Sequence, residues 1–311
     1  MGYARWDSDD WSDYAAGQAG RSREEVFTRR SLDPEFDPLN IRRRESRDSA
    51  QNPESNAIIV AFDETGSMGS IPDAFVREGL GTMVQALLDR RPVSDPHVMV
   101  MGCGDAWCDR APLQVTQFEA DLRIADQLSR LWLEGGGGGN RFESYNLPWY
   151  FAARRTSIDC FEKRGRKGYL FTVGDEPPPP KLLAAHVRAF LGDDLRRDLD
   201  NAELLRAAGR MYEIFHVVVE QGSHYRSFPD EVEQGWTRLL GQRVLFLADY
   251  RQLAEVIVSA IEVNEGRDPD AVVASWDAAA GTVERSRAFA CWSARQRTCS
   301  PICCRTSPSP S

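Results

Sequence analysis

The sequence lacks any run of about 18 apolar residues, the length that an α-helix needs to cross a membrane. Its first residues, MGYARWDSDDWSDYAAG, also lack the basic start and the apolar stretch of a secretory signal. We therefore expect no insertion into a membrane and a cytoplasmic location. Histidine is scarce, with four residues in 311, and no His-Glu-x-x-His motif occurs. No Ser, His and Asp set for nucleophilic catalysis can be assembled from the spacing.

Basic residues are also fewer than acidic residues. The chain has 38 basic and 47 acidic residues, and its net charge is −9. This balance is a poor match for a phosphate backbone and disfavours nucleic acid as a partner. We interpret Arg42, Arg43 and Arg44 as a solvated charge cluster in a flexible arm. The seven cysteines are an odd number in a chain expected to be cytoplasmic, which argues against a disulfide framework.

Both ends of the chain lack apolar periodicity. Residues 1–55 mix opposite charges with Pro, Ser and Asn, so we predict a mostly disordered arm with a short helix near residues 21–30. Residues 267–311 are rich in Arg, Ser, Pro and Cys, and we predict a disordered tail. A reading-frame error in a GC-rich gene is a second explanation of that composition. The tail cysteines fit no standard zinc spacing.

Between the two ends, residues 56–266 alternate apolar runs with amphipathic segments. Buried strands are predicted at AIIVAFD, HVMVMGCGD, GYLFTVGDE, EIFHVVVEQG and RVLFLADY, and a strand nearer an edge at LQVTQF. Helices are predicted from Pro72 and over about residues 121–133, 145–155, 181–191, 201–211 and 253–261. This alternation predicts an α/β fold, Rossmann-like and doubly wound, with a mostly parallel sheet of about six strands and helices on both faces.

Two predicted strands end in aspartate, Asp63 and Asp175, and sites in such sheets form at the carboxyl ends of strands. After Asp63 come Thr65 and Ser67, so one carboxylate and two hydroxyls can turn toward one point. These hard oxygen donors suit Mg²⁺ or Mn²⁺. The alternative is a capped loop, in which the two hydroxyls accept from free N–H groups of the next helix. The spacing alone leaves both interpretations open.

The stretch DETGSMG resembles the first motif of the von Willebrand factor A domain, Asp-x-Ser-x-Ser, in an Asp-x-Thr-x-Ser form similar to that of bacterial members. The order of predicted strands and helices extends the resemblance over about residues 57–265. In that family the motif builds a metal-ion-dependent adhesion site, at which a partner's carboxylate completes the metal coordination. The resemblance therefore implies Asp63, Thr65 and Ser67 as ligands of Mg²⁺ or Mn²⁺.

The other two elements of the family motif match less closely. Asp175 in FTVGDE is similar to the family's last aspartate. The family's middle threonine falls in GGGGGN, where this chain has Gly139. Asn140, Glu143 and Ser144 are the candidates to replace it. A replacement by Glu143 would add negative charge, which would weaken the attraction for an incoming carboxylate.

Two functions are consistent with these residues. The leading hypothesis is a metal-dependent protein–protein interaction module, rather than an enzyme, that binds an acidic residue of a partner. The resemblance implies a MoxR-type AAA+ ATPase as such a partner. The alternative is a metal-dependent hydrolase in the same pocket, with Glu143 or Glu176 as general base. A P-loop is disfavoured because GGGGGN lacks the Lys-Ser/Thr pair, and an aspartate-dependent phosphatase because Thr65 stands where its second acid would be.

Overall fold

The computed structural model describes residues 21–69, 71–75, 79–135 and 140–280. Its strands, in chain order, are β1 Arg44–Ser46, β2 Asn56–Asp63, β3 Pro96–Cys103, β4 Leu113–Val115, β5 Thr156–Ile158, β6 Gly168–Gly174, β7 Tyr212–Val219 and β8 Val244–Leu247. Six of them form the central sheet in the order β4-β3-β2-β6-β7-β8. The other two, β1 and β5, pair in parallel as a small separate sheet.

The central sheet is mixed rather than all parallel. β4 pairs antiparallel with β3 at one edge. The remaining neighbours pair in parallel, so β2, β3, β6 and β7 all end at the same edge of the sheet. Every residue of β2 and β3 is buried, because both faces of the sheet are covered. The predicted strands are therefore confirmed, including the edge position of LQVTQF.

Helices surround the sheet: α1 Arg23–Val26, α2 Ile71–Ala74, α3 Leu80–Arg90, α4 Arg123–Ser129, α5 Asn146–Arg155, α6 Asp159–Glu162, α7 Ala184–Leu191, α8 Asn201–Ala208, α9 Ser223–Ser227, α10 Pro229–Leu240, α11 Leu253–Asn264 and α12 Pro269–Ala280. Short 3₁₀ turns lie at Gly66–Met68, Gly241–Arg243 and Tyr250–Gln252. The predicted helix over 121–133 is shorter than expected, and α6, α9 and α10 were not predicted. No helix in the described ranges is both long and apolar enough to cross a membrane.

The apolar core has two parts, one on each face of the sheet. Alternate residues of β2 point to opposite faces. Ile58 and Val60 pack with α3 and α11 on one face, whereas Ile59 packs with Trp149 of α5 and Trp236 of α10 on the other. Burial on both faces holds the ends of β2 and β6 in fixed positions.

The prediction of a disordered arm over residues 1–55 is wrong for residues 21–55. Val26, Phe27, Phe36 and Ile41 are buried against the body. The backbone N–H of Val115 donates to the carbonyl oxygen of Phe36 at 2.9 Å, so this segment covers the edge strand β4. Its few apolar residues are too far apart in the sequence to show a period. The short helix expected near residues 21–30 is present as α1, and residues 1–20 lie outside the described residues.

The prediction of a disordered tail from residue 267 is wrong as far as residue 280. Residues 269–280 form α12, in which Val272 is buried. The indole N–H of Trp276 donates to the Ser259 hydroxyl at 2.6 Å, and the Arg90 guanidinium lies 4.1 Å from the Trp276 ring centroid. These contacts with α11 and with Arg90 of α3 hold α12 against the body. Residues 281–311, which include the tail cysteines, lie outside the described residues.

Candidate functional site

The site lies where the neighbouring strands β2 and β6 end. Asp63 is the last residue of β2, and Asp175 directly follows β6. The two strands run in parallel with Phe62 opposite Val173, so both aspartates reach the same edge of the sheet. This is the edge at which α/β sheets place their binding sites.

Four of the predicted site residues are joined by hydrogen bonds. Asp63 Oδ1 accepts from the Thr65 backbone N–H at 2.8 Å and from the Thr65 hydroxyl at 2.5 Å. Thr65 Oγ1 lies 3.2 Å from Ser67 Oγ. The Ser67 hydroxyl donates to Asp175 Oδ1 at 2.7 Å. The structure therefore brings Asp63, Thr65, Ser67 and Asp175 together.

The capped-loop interpretation does not describe this loop. Thr65 precedes the 3₁₀ turn at Gly66–Met68, yet its side chain accepts no hydrogen bond from the turn. Its hydroxyl bonds to Asp63 instead. Gly69 ends the turn at φ 57°, a conformation that glycine adopts without strain. The local fold thus directs the hydroxyls toward the carboxylates.

Two further groups fix the orientation of the aspartates. The Tyr145 hydroxyl donates to Asp63 Oδ2 at 3.0 Å. The backbone N–H of His224, in α9, donates to Asp175 Oδ2 at 2.8 Å. α9 approaches closely because Gly222 has no side chain: a Cβ there would lie 2.2 Å from Asp175 Oδ2. Both oxygens of each aspartate therefore have a donor.

The surroundings of the site are rich in negative charge. Glu143 and Glu176 are buried nearby, and one carboxylate oxygen of each has no hydrogen-bond partner. Within the described ranges, no lysine or arginine forms an ion pair with Asp63, Asp175, Glu143 or Glu176. His224 Nδ1 lies 3.5 Å from Glu176 Oε1, and burial lowers the pKa of His224, which favours the neutral imidazole. The carboxylates thus have little counter-charge from the protein.

This arrangement raises the carboxyl pKa values. Burial, followed by the charge of Asp175, raises the pKa of Asp63 to about 7. Burial, followed by the charge of Asp63, raises the pKa of Glu176 to about 8. The same two causes raise the pKa of Glu143 strongly. Each raised pKa means that burial and the neighbouring negative charge disfavour the ionised form of that carboxyl group.

The donor set suits a small divalent cation. Asp63 and Asp175 supply carboxylate oxygens, and Thr65 and Ser67 supply neutral hydroxyl oxygens. A cation would also neutralise the excess charge and satisfy buried carboxylate oxygens. No cluster of three or more His, Cys, Asp and Glu side chains has an arrangement that could hold a metal in the described part of the chain. A site here would depend on the two hydroxyls.

The candidates for the missing threonine lie outside this hydrogen-bonded set. Asn140 Nδ2 donates to Asp105 Oδ2 at 2.7 Å, on the loop after β3. Ser144 Oγ accepts from the Ala106 backbone N–H at 3.0 Å, on the same loop. The charge of Glu143 acts on Asp63, but Glu143 makes no hydrogen bond to the four residues. Gly139 itself lies outside the described residues.

Sequence reasoning missed Tyr145 and the backbone N–H of His224. Tyr145 immediately precedes α5 and is fully buried, and His224 lies in the short helix α9. No local motif marks either of them, since each reaches the site through packing of distant elements. Glu176, predicted as a candidate general base, lies in this carboxylate-rich region together with Asp105.

No family model and no curated protein sequence matches the chain. Among solved structures, it is similar to the pilus adhesin SpaC from Lactobacillus rhamnosus GG, with TM-score 0.44 and 11% identity over 70% of this chain and 31% of that chain. It is also similar to a von Willebrand factor type A protein from Catenulispora acidiphila, with TM-score 0.35 and 14% identity over 69% and 44%. A third is proximal thread matrix protein 1 from the mussel byssus, with TM-score 0.40 and 13% identity over 68% and 47%. The chain spans less than half the length of each, and these low scores establish neither its family nor its function.

Proposed function

We propose that the chain is a von Willebrand factor A-like module, with a Rossmann-like doubly wound fold, that binds Mg²⁺ or Mn²⁺ and through it an acidic residue of a partner protein. The observation that carries this proposal is the hydrogen-bonded set of Asp63, Thr65, Ser67 and Asp175 at adjacent strand ends. The shortage of positive counter-charge around it supports a cation as the missing partner of these carboxylates.

Each residue has a distinct part in this proposal. Asp63 and Asp175 supply the negative charge that attracts the cation, and Thr65 and Ser67 supply neutral oxygens. The Tyr145 hydroxyl holds the Asp63 carboxylate in its orientation. A bound cation would supply an open coordination position for an incoming carboxylate. Two ionised aspartates balance the charge of a divalent cation, and the two hydroxyls add none. An incoming carboxylate therefore meets less repulsion than it would beside a third ionised ligand.

Glu143 does not repel an acidic partner when its carboxyl group is protonated. Burial and the charge of Asp63 raise its pKa, so its neutral form is favoured at neutral pH. A neutral carboxyl adds no repulsion toward an incoming carboxylate. The resemblance in DETGSMG extends the proposal to the class of partner, a MoxR-type AAA+ ATPase.

Calorimetric titration of the whole chain with Mg²⁺ and Mn²⁺ tests the metal site. We expect binding to the native chain and a loss of about tenfold or more in affinity in Asp63→Asn, because a ligand charge is removed. Asp194→Asn is the matched control, since its exposed carboxylate pairs with Arg188 on the surface. Absence of binding to the native chain, or equal binding to Asp63→Asn, would contradict the proposal.

The metal-dependent hydrolase is the second candidate function because of the protonation state of its candidate general bases, Glu143 and Glu176. The raised pKa values of Glu143 and Glu176 favour their protonated forms at neutral pH, and a protonated carboxyl cannot accept a proton from water. Metal-dependent turnover of a phosphoester or peptide substrate that disappears in Glu143→Gln would favour the enzyme over the binding module.

A further inference from the structure

Three large hydrophobic side chains are exposed in the described part of the chain: Leu39, Trp107 and Phe228. Trp107 is 60% exposed and follows β3, and Phe228 is 39% exposed and lies between α9 and α10, which follow β7. Both therefore belong to loops at the carboxyl edge of the sheet, where Asp63 and Asp175 lie. Leu39, at 51%, precedes β1 and lies elsewhere.

The two aromatic residues flank the candidate metal site. The strand order across the middle of the sheet is β3-β2-β6-β7. The inner strands carry Asp63 and Asp175, and the outer strands lead to Trp107 and Phe228. Strands are about 4.8 Å apart, so β3 and β7 are separated by about 14 Å. The loop that carries Trp107 therefore leaves the sheet on one side of the site, and the loop that carries Phe228 leaves it on the other.

Contacts tie Phe228 to the site. Its ring centroid lies 5.2 Å from that of His224, whose backbone N–H bonds to Asp175. The Arg141 guanidinium lies 4.7 Å from the Phe228 ring centroid and 3.7 Å from a Glu231 carboxylate oxygen. The Phe228 ring is therefore held between neighbours and still presents part of its surface to solvent.

Trp107 is held in a comparable way on the other side. Its backbone N–H donates to Asp105 Oδ1 at 2.9 Å, and its ring packs edge-on against His186 at a centroid distance of 5.0 Å. An aromatic side chain that is already held loses little entropy when a partner covers it. Such residues are enriched among those that carry most of the binding energy at interfaces.

We propose that this edge recognises an extended acidic segment of a partner protein, in which apolar side chains on both sides of the acidic residue pack on Trp107 and Phe228. The inference rests on the proposed function and adds the sequence class of the partner. An extended chain rises about 3.3 Å per residue, and residues two apart share a face. About four residues of extended chain span the separation of about 14 Å between β3 and β7, so the predicted pattern is apolar-x-Asp/Glu-x-apolar.

Selection from a random library of displayed dodecapeptides, with the whole chain as bait and Mg²⁺ present, tests this surface. We expect enrichment of Asp or Glu with apolar residues two positions away on each side. A chain carrying Trp107→Ala and Phe228→Ala should keep the acidic preference and lose the apolar one. Leu39→Ala is the matched control, because it removes an exposed apolar side chain elsewhere and should select the native pattern.

A synthetic peptide with the enriched pattern gives the quantitative comparison. We expect its affinity to fall about tenfold in the doubly substituted chain and to stay unchanged in Leu39→Ala. Mg²⁺ titration and circular dichroism establish that each variant is folded and keeps its metal site. Asp63→Asn should lose the acidic preference altogether.

The outcomes separate this inference from the proposed function. Enrichment of acidic peptides without flanking apolar residues, or the same pattern from the doubly substituted chain, contradicts the inference and leaves the metal-dependent binding of acidic residues standing. Absence of any Mg²⁺-dependent acidic preference in the native chain contradicts both.

Discussion

The Asp63 carboxylate is held from two sides by groups from different parts of the chain. Thr65 donates to one oxygen from the same loop, and Tyr145 donates to the other from the position before α5. Burial, and after it the charge of Asp63, raises the pKa of Tyr145 well above its ordinary value, so its hydroxyl keeps its proton and acts as a donor. A residue outside the motif therefore controls the geometry of the motif's first ligand.

Replacing Tyr145 by phenylalanine should weaken Mg²⁺ binding. The change removes a hydrogen bond to a charged group, which typically contributes about 1.5–3 kcal/mol, so we expect a loss of about tenfold or more in affinity by calorimetry. Tyr150→Phe is the matched control. Tyr150 lies further along α5, and its hydroxyl donates to Asp193 at 2.9 Å. Native affinity in Tyr145→Phe would show that Asp63 needs no second donor.

The sequence predicted the residues of the DETGS loop and the strand-end Asp175, and it missed Tyr145 and the His224 N–H, which no motif marks. DETGS places Asp63, Thr65 and Ser67 within five positions, so the loop alone brings their oxygens together. Tyr145 is 82 positions from Asp63, and His224 is 49 positions from Asp175. Contacts over such separations depend on how helices pack, which no short motif records.

At the scale of secondary structure elements, continuous apolar runs were the reliable signal. β2 and β3 are buried throughout, and their sequences read as strands without ambiguity. The segment over residues 21–55 gave no such signal, because most of its residues are polar and many of its contacts with the body are hydrogen bonds and ion pairs of polar side chains. It nevertheless covers β4, whose exposed edge would otherwise be free to pair with another chain.

Phe36→Ala tests whether that segment belongs to the folded body. Phe36 is 2% exposed, and the Arg130 guanidinium lies 4.8 Å from its ring centroid. Removing a buried phenylalanine typically costs about 3–5 kcal/mol of unfolding free energy, and we expect a loss near the lower end in urea titration.

Leu39→Ala is the control for Phe36→Ala, since it lies in the same segment and is 51% exposed. We expect its unfolding free energy to stay within about 0.5 kcal/mol of the native value. Equal and small effects of the two changes would mean that the segment contributes nothing to stability, as in the disordered arm predicted from composition.

At the scale of the whole molecule, burial on both faces of the sheet stabilises the fold, whereas the carboxylate charge at the sheet's carboxyl edge destabilises it. Helices on both faces fix the ends of β2 and β6, and this rigidity keeps Asp63, Asp175, Glu143 and Glu176 close together without counter-charge. Ionisation of these groups therefore costs stability, and a cation at the site would recover it. Stability should depend on both pH and Mg²⁺ in a linked way.

The sign of that dependence follows from the raised pKa values. Glu176 has a folded-state pKa of about 8 against an ordinary value of 4.5, so between these pH values the folded chain holds more protons than the unfolded chain. Unfolding free energy then falls as pH rises through this window. All four histidines have lowered pKa values and give the opposite slope below about pH 6.5, their ordinary pKa. Above pH 7 the histidines contribute little to the slope. It then comes from the carboxyl groups and, toward pH 9, also from the buried thiols, whose pKa values burial raises.

Thermal unfolding from pH 7 to pH 9, with and without Mg²⁺, tests this linkage. Without Mg²⁺, we expect the midpoint to fall as pH rises, because the folded chain holds protons on Glu143 and Glu176 that the unfolded chain has released. With Mg²⁺, we expect a higher midpoint, and the increase should be larger at higher pH, because protons compete less for the same oxygens. The histidine contributions cancel in the difference at each pH. In Asp63→Asn the increase should vanish, and an increase that is independent of pH would mean that Mg²⁺ binds away from these carboxyl groups.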